Sequence, residues 1–270
     1  MTDEKPRFAS EVELCTAFMD AVRKNGEWTI YPETEGFDIL LVRRADGFQI
    51  GIEAKLRLSA KVVGQAVEQG NYWRVAGPNP DCRAVLVPHD TGHDLTAVCD
   101  ALGITILRMR AGDSWRASRM RPYSPDLPNL KDYHGGYENW FERCPDQRLP
   151  LPDWIPDVVA GDKSPVALTE WKVKAIKIAV TLELRGSVSR QDFKFHKIHM
   201  PRWIDPYAAW LVKNDAGLWV VGPKMPDFRR QHPVNYEQIK ADADLWIRPV
   251  IAVEPAADML GGADLVERCR

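Results

Sequence analysis

The sequence predicts an α/β sheet domain followed by a smaller, mainly α-helical and basic domain. Three observations carry that prediction. Residues 10–110 alternate amphipathic stretches with short apolar runs in the order α-β-β-β-α-β-α-β, the pattern of a mixed sheet covered by helices. Residues 168–250 hold two helix signatures, a proline-broken turn and an alternating hairpin. Charge divides the same way: the net charge is −2, yet residues 168–240 carry 13 Lys/Arg against 7 Asp/Glu, while residues 1–110 carry 13 against 16.

Residues 10–25 read as a helix capped by Ser10, with Cys15, Phe18, Met19 and Val22 as one apolar stripe and Gly26 as the stop. Glu11 lies one turn before Cys15 and extends that stripe, whereas Glu13 projects to a flank. A short strand is expected at 28–33, bounded by Pro32 and Gly36. Residues 36–58 then form two strands joined at Ala45-Asp46-Gly47, a hairpin signal. Ser59 can cap a helix over 60–75 whose polar stripe holds Lys61, Gln65, Glu68, Gln69 and Tyr72. Residues 83–88 and 104–109 are buried-strand runs separated by a short helix at 94–103. From 111 to 167, eight prolines and scattered aromatics mark a long connector, expected to pack on the domains because Trp140, Phe141, Trp154 and Ile155 are too apolar for solvent. Helices follow at 169–186 and 187–198, a turn of helix within 201–209, a hairpin at 210–222 and a helix at 236–246. The domains are thus 1–110, the connector 111–167, 168–250, and a tail at 251–270.

No run approaches the roughly 18 apolar residues of a membrane span, and the charged N-terminus has no signal-peptide core. Five scattered cysteines without a CxxC pair fit reduced thiols, and a cytoplasmic address is the expectation. There is no glycine-rich phosphate loop, which argues against an ATP-driven motor.

The hairpin carries the chemistry. With the turn at Asp46-Gly47, Asp38 falls opposite Lys55 and Leu40 opposite Glu53, so three charges share one face of a largely aliphatic ribbon. Gly51 lies on that face, leaving room. Two carboxylates this close repel unless a divalent cation lies between them. Oxygen-only ligation by Asp38, Glu53 and the backbone carbonyl of Ala54 suits Mg²⁺ or Mn²⁺. Lys55 beside such an ion can hold or deprotonate a water aimed at a phosphodiester. The bland alternative is a cross-strand ion pair, Asp38 to Lys55, on a solvated sheet face.

On Asp38, Glu53-Ala54-Lys55 and the element order, residues 10–110 resemble the P-D-(D/E)-x-K phosphodiesterases, a superfamily that includes many restriction and repair nucleases. The resemblance implies a restriction-endonuclease-like core, metal held by Asp38 and Glu53, and Lys55 as the water-positioning residue. It also implies a supporting acid on the first helix, matched by Glu11 with Glu13 as second choice, and a glutamine on the next helix, matched by Gln65. Phe37 stands where the superfamily usually has proline, and the Gln-x-x-x-Tyr spacing of one subgroup is absent. The expected function is a Mg²⁺- or Mn²⁺-dependent DNA endonuclease; the alternative is a nuclease-like module that binds DNA or protein without cutting.

In the basic domain, the order helix, helix, short helix, hairpin is that of a winged helix. Lys172, Lys174 and Lys177 on its first helix, with Arg190, Lys194, Lys197 and Arg202 beyond, are expected to neutralise phosphates in sequence-independent DNA binding. Docking on the sheet domain or homodimer formation is the alternative use of that face.

Overall fold

Helix α1 (Glu11–Arg23) begins where Ser10 Oγ accepts the Glu13 amide at 3.1 Å and the Glu13 carboxylate accepts the Ala9 amide at 2.7 Å. The first bond satisfies a donor that a helix start leaves open, and the second ties the preceding residue to the first turn. They also fix the division of labour between the two acids, because Glu13 is spent on the cap and Glu11 is not. The computed structural model describes residues 7–68, 77–112, 121–129, 139–162 and 167–249.

Among the described residues six strands follow in spatial order: β1 (Trp28–Thr34), β2 (Phe37–Arg43), β3 (Gln49–Ala54), β4 (Cys82–Pro88), β5 (Thr105–Met109) and β6 (Tyr123–Ser124). β1–β2–β3 is an antiparallel meander, β3–β4–β5 is parallel, and β6 returns antiparallel. The sixth strand comes from the connector, so the sheet extends beyond the expected boundary at residue 110. α1 packs on one face over Ile39, Leu41, Ile50, Ile52, Ala54, Leu86 and Leu107. On the other face α2 (Ala60–Glu68) and α3 (Thr96–Ala101) cover Val85 and Ile104 with Val62, Val63, Ala66 and Cys99. The outer part of the expected 60–75 helix, with Gln69 and Tyr72, lies outside the described residues. Buried Arg83 anchors the described end of α2, donating to the Ala66 and Val67 carbonyls at 3.1 and 2.7 Å.

The hairpin register differs from the sequence expectation by two residues. Ile39 pairs with Ile52 and Val42 with Gln49, and the ladder closes with Arg43 N–H donating to the Phe48 carbonyl at 2.8 Å. The loop is therefore four residues, Arg44 to Gly47, rather than two. The cause is local: the Asp46 carboxylate takes Arg43 Nε and Nη2 at 2.9 and 2.7 Å and the Phe48 amide at 3.2 Å, which spreads the turn, and Gly47 (φ 72°) completes it. A slip of two leaves the paired side chains, residues 39–42 and 49–52, on their predicted faces.

The connector binds both halves of the chain. Gln49 exchanges two hydrogen bonds with the Leu149 backbone, both 2.9 Å, and Arg148 Nε reaches Asp81 at 2.8 Å. Farther along, Asp157 accepts His232 Nδ1 at 2.9 Å and the Val234 and Asn235 amides at 2.7 and 3.0 Å.

The C-terminal half comprises α4 (Glu170–Arg185), α5 (Arg190–Phe195), α6 (Pro201–Ile204), the hairpin β7 (Leu211–Lys213) and β8 (Trp219–Val221), then α7 (Phe228–Gln231), α8 (Pro233–Ala241) and α9 (Ala243–Trp246). Thr169 caps α4 and left-handed Gly186 ends it, as expected. The single helix expected at 236–246 is two pieces, interrupted at Asp242, and starts earlier because Pro233 suits a first helical turn. Val188, between α4 and α5, bridges Trp219 of β8. The core is aromatic: fully buried Trp203 meets Phe193 and Trp210 edge-on at 5.3 Å. Among the described residues no helix is long and apolar enough to cross a membrane.

Candidate active site

The β2–β3 ladder ends at Ile39–Ile52. One step further in the same register, Asp38 would face Glu53, and two carboxylates would share the end of the ribbon. The conflict is avoided by a side-chain bond: Asp38 Oδ2 accepts the Ala54 amide at 2.7 Å. The opposite edge of β3 continues its parallel pairing with β4, Glu53 beside Val85 and Ala54 beside Leu86, and the Lys55 amide donates to the Leu86 carbonyl at 2.9 Å. Along β3, Ile50, Ile52 and Ala54 enter the core under α1, so Gly51 and Glu53 face the α2 side. The space expected at Gly51 is filled: the Phe37 ring lies 2.5 Å from where a Gly51 Cβ would stand.

Lys55 does not pair with Asp38. Its Nζ donates to Glu11 Oε2 at 2.8 Å, so the ion pair spans from the end of β3 to α1. The structure thus brings Glu11, Asp38, Glu53 and Lys55 into one electrostatic group. Burial opposes the charge on Lys55, but the Glu11 hydrogen bond and the fields of Asp38 and Glu53 raise its pKa overall. Burial, then Asp38, pushes the Glu53 carboxyl up to about 8, with Lys55 opposing. Asp38 is also raised by burial, against the Ala54 amide and Lys55.

A further acid belongs to this group, and the sequence did not mark it. Glu33 lies in β1, which runs past Pro32 to Thr34 because an edge strand tolerates the missing N–H. Its backbone is left-handed, φ 46°, a strained conformation for a non-glycine residue. The connector fixes its carboxylate, since Gly161 N–H donates to Glu33 Oε1 at 2.8 Å. Burial raises Glu33 to about 7, with Gly161 opposing and the fields of Asp38 and Asp162 adding to the rise. Buried Cys15 adjoins the same acids, and burial followed by the Asp38 field raises its thiol pKa, which makes it an inert thiol. The one legible signal for Glu33 was an acid two residues before a glutamate-glycine turn.

Gly161 closes the connector over α1. Its φ is 76°, and a Cβ there would stand 3.0 Å from Cys15 Sγ and 3.1 Å from the Glu11 carbonyl oxygen. Gly161→Ala should therefore cost about 2 kcal/mol. Chemical denaturation checks this, and loss of the Glu33 hydrogen bond should accompany it.

Gln65 sits on α2, on the same side of the sheet as Glu53, and makes no hydrogen bond through its buried Oε1. Glu53 Oε1 is likewise buried and without a partner. Such atoms are costly to leave unmade. Among the described residues no three His, Cys, Asp or Glu side chains are gathered tightly enough to hold a metal ion. In kind, however, the donors fit a hard divalent cation: all are oxygens, and the orphaned Glu53 oxygen is one that such an ion would satisfy.

The seven basic residues divide. Lys172 lies over the Trp171 and Phe228 rings and donates to Gln231 Oε1 at 2.7 Å. Lys177 lies between Trp154 and Trp246, 5.2 and 5.5 Å from their centroids, and Arg202 between Trp171 and Trp210. Lys174 pairs with Glu170 at 2.5 Å. These four are engaged by neighbouring groups rather than presented as a free stripe: aromatic faces along and beside α4 attract Lys172, Lys177 and Arg202, and Glu170 takes Lys174. Arg190, Lys194 and Lys197 remain exposed, with no side-chain hydrogen bond or ion pair among the described residues. Comparisons with family models, curated proteins and solved structures found no match, so the site is read from its own geometry.

Proposed function

We propose that the chain is a metal-dependent phosphodiesterase acting on DNA, with its centre at the end of the β2–β3 ribbon. One observation carries the reading: Glu11, Asp38, Glu53 and Lys55 converge from three elements, and the Glu53 oxygen among them is buried and unclaimed. Asp38, Glu53 and the Ala54 carbonyl would hold Mg²⁺ or Mn²⁺, which supplies Lewis-acid stabilisation of phosphoryl charge when bound. Glu11 keeps Lys55 protonated and oriented, and Lys55 positions the attacking water by donating to it. Gln65 offers an unspent amide from the α2 side to orient the site. Glu33 confines the group on the β1 side.

The order α4, Val188 bridge, α5, α6, β7–β8 supports a winged-helix-like second domain, and the restriction-endonuclease-like reading of the first rests on its element order. Four-residue α6 is too short to read a groove, and its Trp203 is buried. DNA contact therefore falls to Arg190, Lys194 and Lys197. Replacing all three with alanine should lower the salt slope of DNA binding by about 3, whereas Lys177→Met should leave it unchanged. Fluorescence anisotropy over a salt series reads both.

The direct test is cleavage of plasmid and single-stranded DNA with Mg²⁺ or Mn²⁺. Lys55→Ala and Glu53→Ala should both abolish cutting; undiminished cutting by both variants sinks the assignment. The spacing of the acids favours a second reading, a nuclease-like module that binds DNA without cutting. Calorimetry separates the two, since that module would take up DNA but no divalent ion.

A further inference from the structure

A cleft of about 740 Å³ lies between the β1–β2 turn, the connector and the start of α4. Its walls are apolar: Leu151, Pro152 and Trp154 on the connector side, Leu168 and Val173 on the other. Leu151 is 41% exposed, a large aliphatic side chain left open to the cleft. Glu33, Glu35 and Asp153 supply the charge. Glu170 also lines it but is already paired with Lys174. Among the described lining residues there is no Lys, Arg or His.

That lining selects by charge. Among the described lining residues a phosphate would meet carboxylates and no cation to receive it, which disfavours the backbone of a nucleic acid. An ammonium or guanidinium on an aliphatic stem matches both parts, the stem against the apolar wall and the head against the acids. The volume exceeds what one such side chain fills and has room for apolar neighbours. Burial raises the carboxyls of both Glu33 and Glu35, and a cation seated beside them would offset that cost. Glu33 also ties the cleft to the acid group, because its field reaches Glu53.

We propose that this cleft docks a Lys- or Arg-bearing, otherwise apolar peptide segment of a partner protein, its cationic head received by Glu33, Glu35 and Asp153. Such a segment brings positive charge to the border of the Asp38–Glu53 group and so adjusts the site from outside it. The surface stands whether or not the centre cuts DNA.

The test is metal-free calorimetry on the full chain, with the acetylated, amidated hexapeptide Ala-Leu-Arg-Leu-Lys-Ala as probe. Its counterpart with glutamate at both cationic positions, spermidine and hexathymidylate serve as the other arms. The basic peptide should bind one to one, and the acidic peptide should not. The double variant Glu35→Gln, Asp153→Asn should weaken binding about tenfold, and Leu151→Ser should weaken it independently. All three residues are exposed, and a melting curve checks that each variant remains folded.

No binding of the basic peptide at about 1 mM, or equal affinity in the double variant, overturns the proposal. Spermidine binding as tightly as the peptide would replace the protein partner with a free polyamine. Hexathymidylate displacing the peptide would make the cleft a nucleic-acid site. No arm reads cleavage or metal uptake, so this result and that of the cleavage assay are separable.

Discussion

Replacing Glu53 with glutamine is expected to make the chain more stable and to stop cleavage. Glu53 is 2% exposed, and its carboxyl is pushed from an ordinary 4.5 to about 8, first by burial and then by the field of Asp38. The folded chain therefore holds a proton on this group more tightly than the unfolded chain does. Below about pH 4.5 both states are protonated and Glu53 contributes no pH dependence. Between 4.5 and about 8 the unfolded state has released its proton and the folded state has not, so stability falls as pH rises, and above 8 the full cost is present. Glutamine retains the shape without the charge. Without divalent ions, Glu53→Gln should exceed the parent by about 2–4 kcal/mol at pH 8 and by almost nothing at pH 4.5. Denaturant titrations at the two pH values measure this. Saturating Mg²⁺ should narrow the gap by stabilising only the parent. The same variant should lose about two orders of magnitude in cleavage or more, because a neutral amide replaces an ionic ligand. A gain in stability with full cleavage would separate the acid group from the chemistry.

The parity of the β2–β3 ribbon was legible because side chains alternate with a period of two. Gly51 and Glu53 kept their common face although the register moved by two. The register itself was not legible, since it depends on Asp46 turning back to Arg43, a contact that the Asp-Gly signal does not encode. Glu11's place beside Lys55 was legible from helical spacing, whereas Glu13 is engaged at the cap with Ser10 and Ala9. Glu33 was hidden by Pro32, which suggested a strand end where the edge strand continues. Gly161 could not be found at all: its bond to Glu33 crosses 128 residues, and no local pattern announces such a contact.

The basic domain shows a different limit. Counting lysines along α4 predicts a phosphate-binding stripe, but charge alone does not say what a cation faces. Trp154, Trp171, Trp210 and Trp246 are spread over 93 positions of sequence and meet around that helix, where they take Lys177, Lys172 and Arg202. Cations held on aromatic faces contribute to folding and lose reach toward a ligand. Of the seven cations that the sequence singles out, those left without a side-chain partner among the described residues are therefore three, Arg190, Lys194 and Lys197, on and just after α5.

That aromatic lattice sets the second large effect. Trp203 is fully buried and joins Phe193, Trp210 and Phe228 at centroid distances of 5.3, 5.3 and 6.0 Å. Trp203→Ala should cost about 3–5 kcal/mol, the usual range for emptying a large aromatic site. The loss should reach beyond the cavity, because Trp210 and Phe228 also support Arg202 and Lys172. Trp203→Phe provides the control. The indole Nε1 is buried without a hydrogen-bond partner, so phenylalanine removes an unsatisfied donor while retaining much of the ring contact. It should cost under about 1.5 kcal/mol. Denaturant unfolding followed by near-ultraviolet circular dichroism reports the aromatic packing directly. In Trp203→Ala that signal should be lost at lower denaturant than the far-ultraviolet signal of the sheet domain. Equal destabilisation by alanine and phenylalanine would mean that the full bicyclic indole, and not a single packed ring, is what fills and holds the lattice.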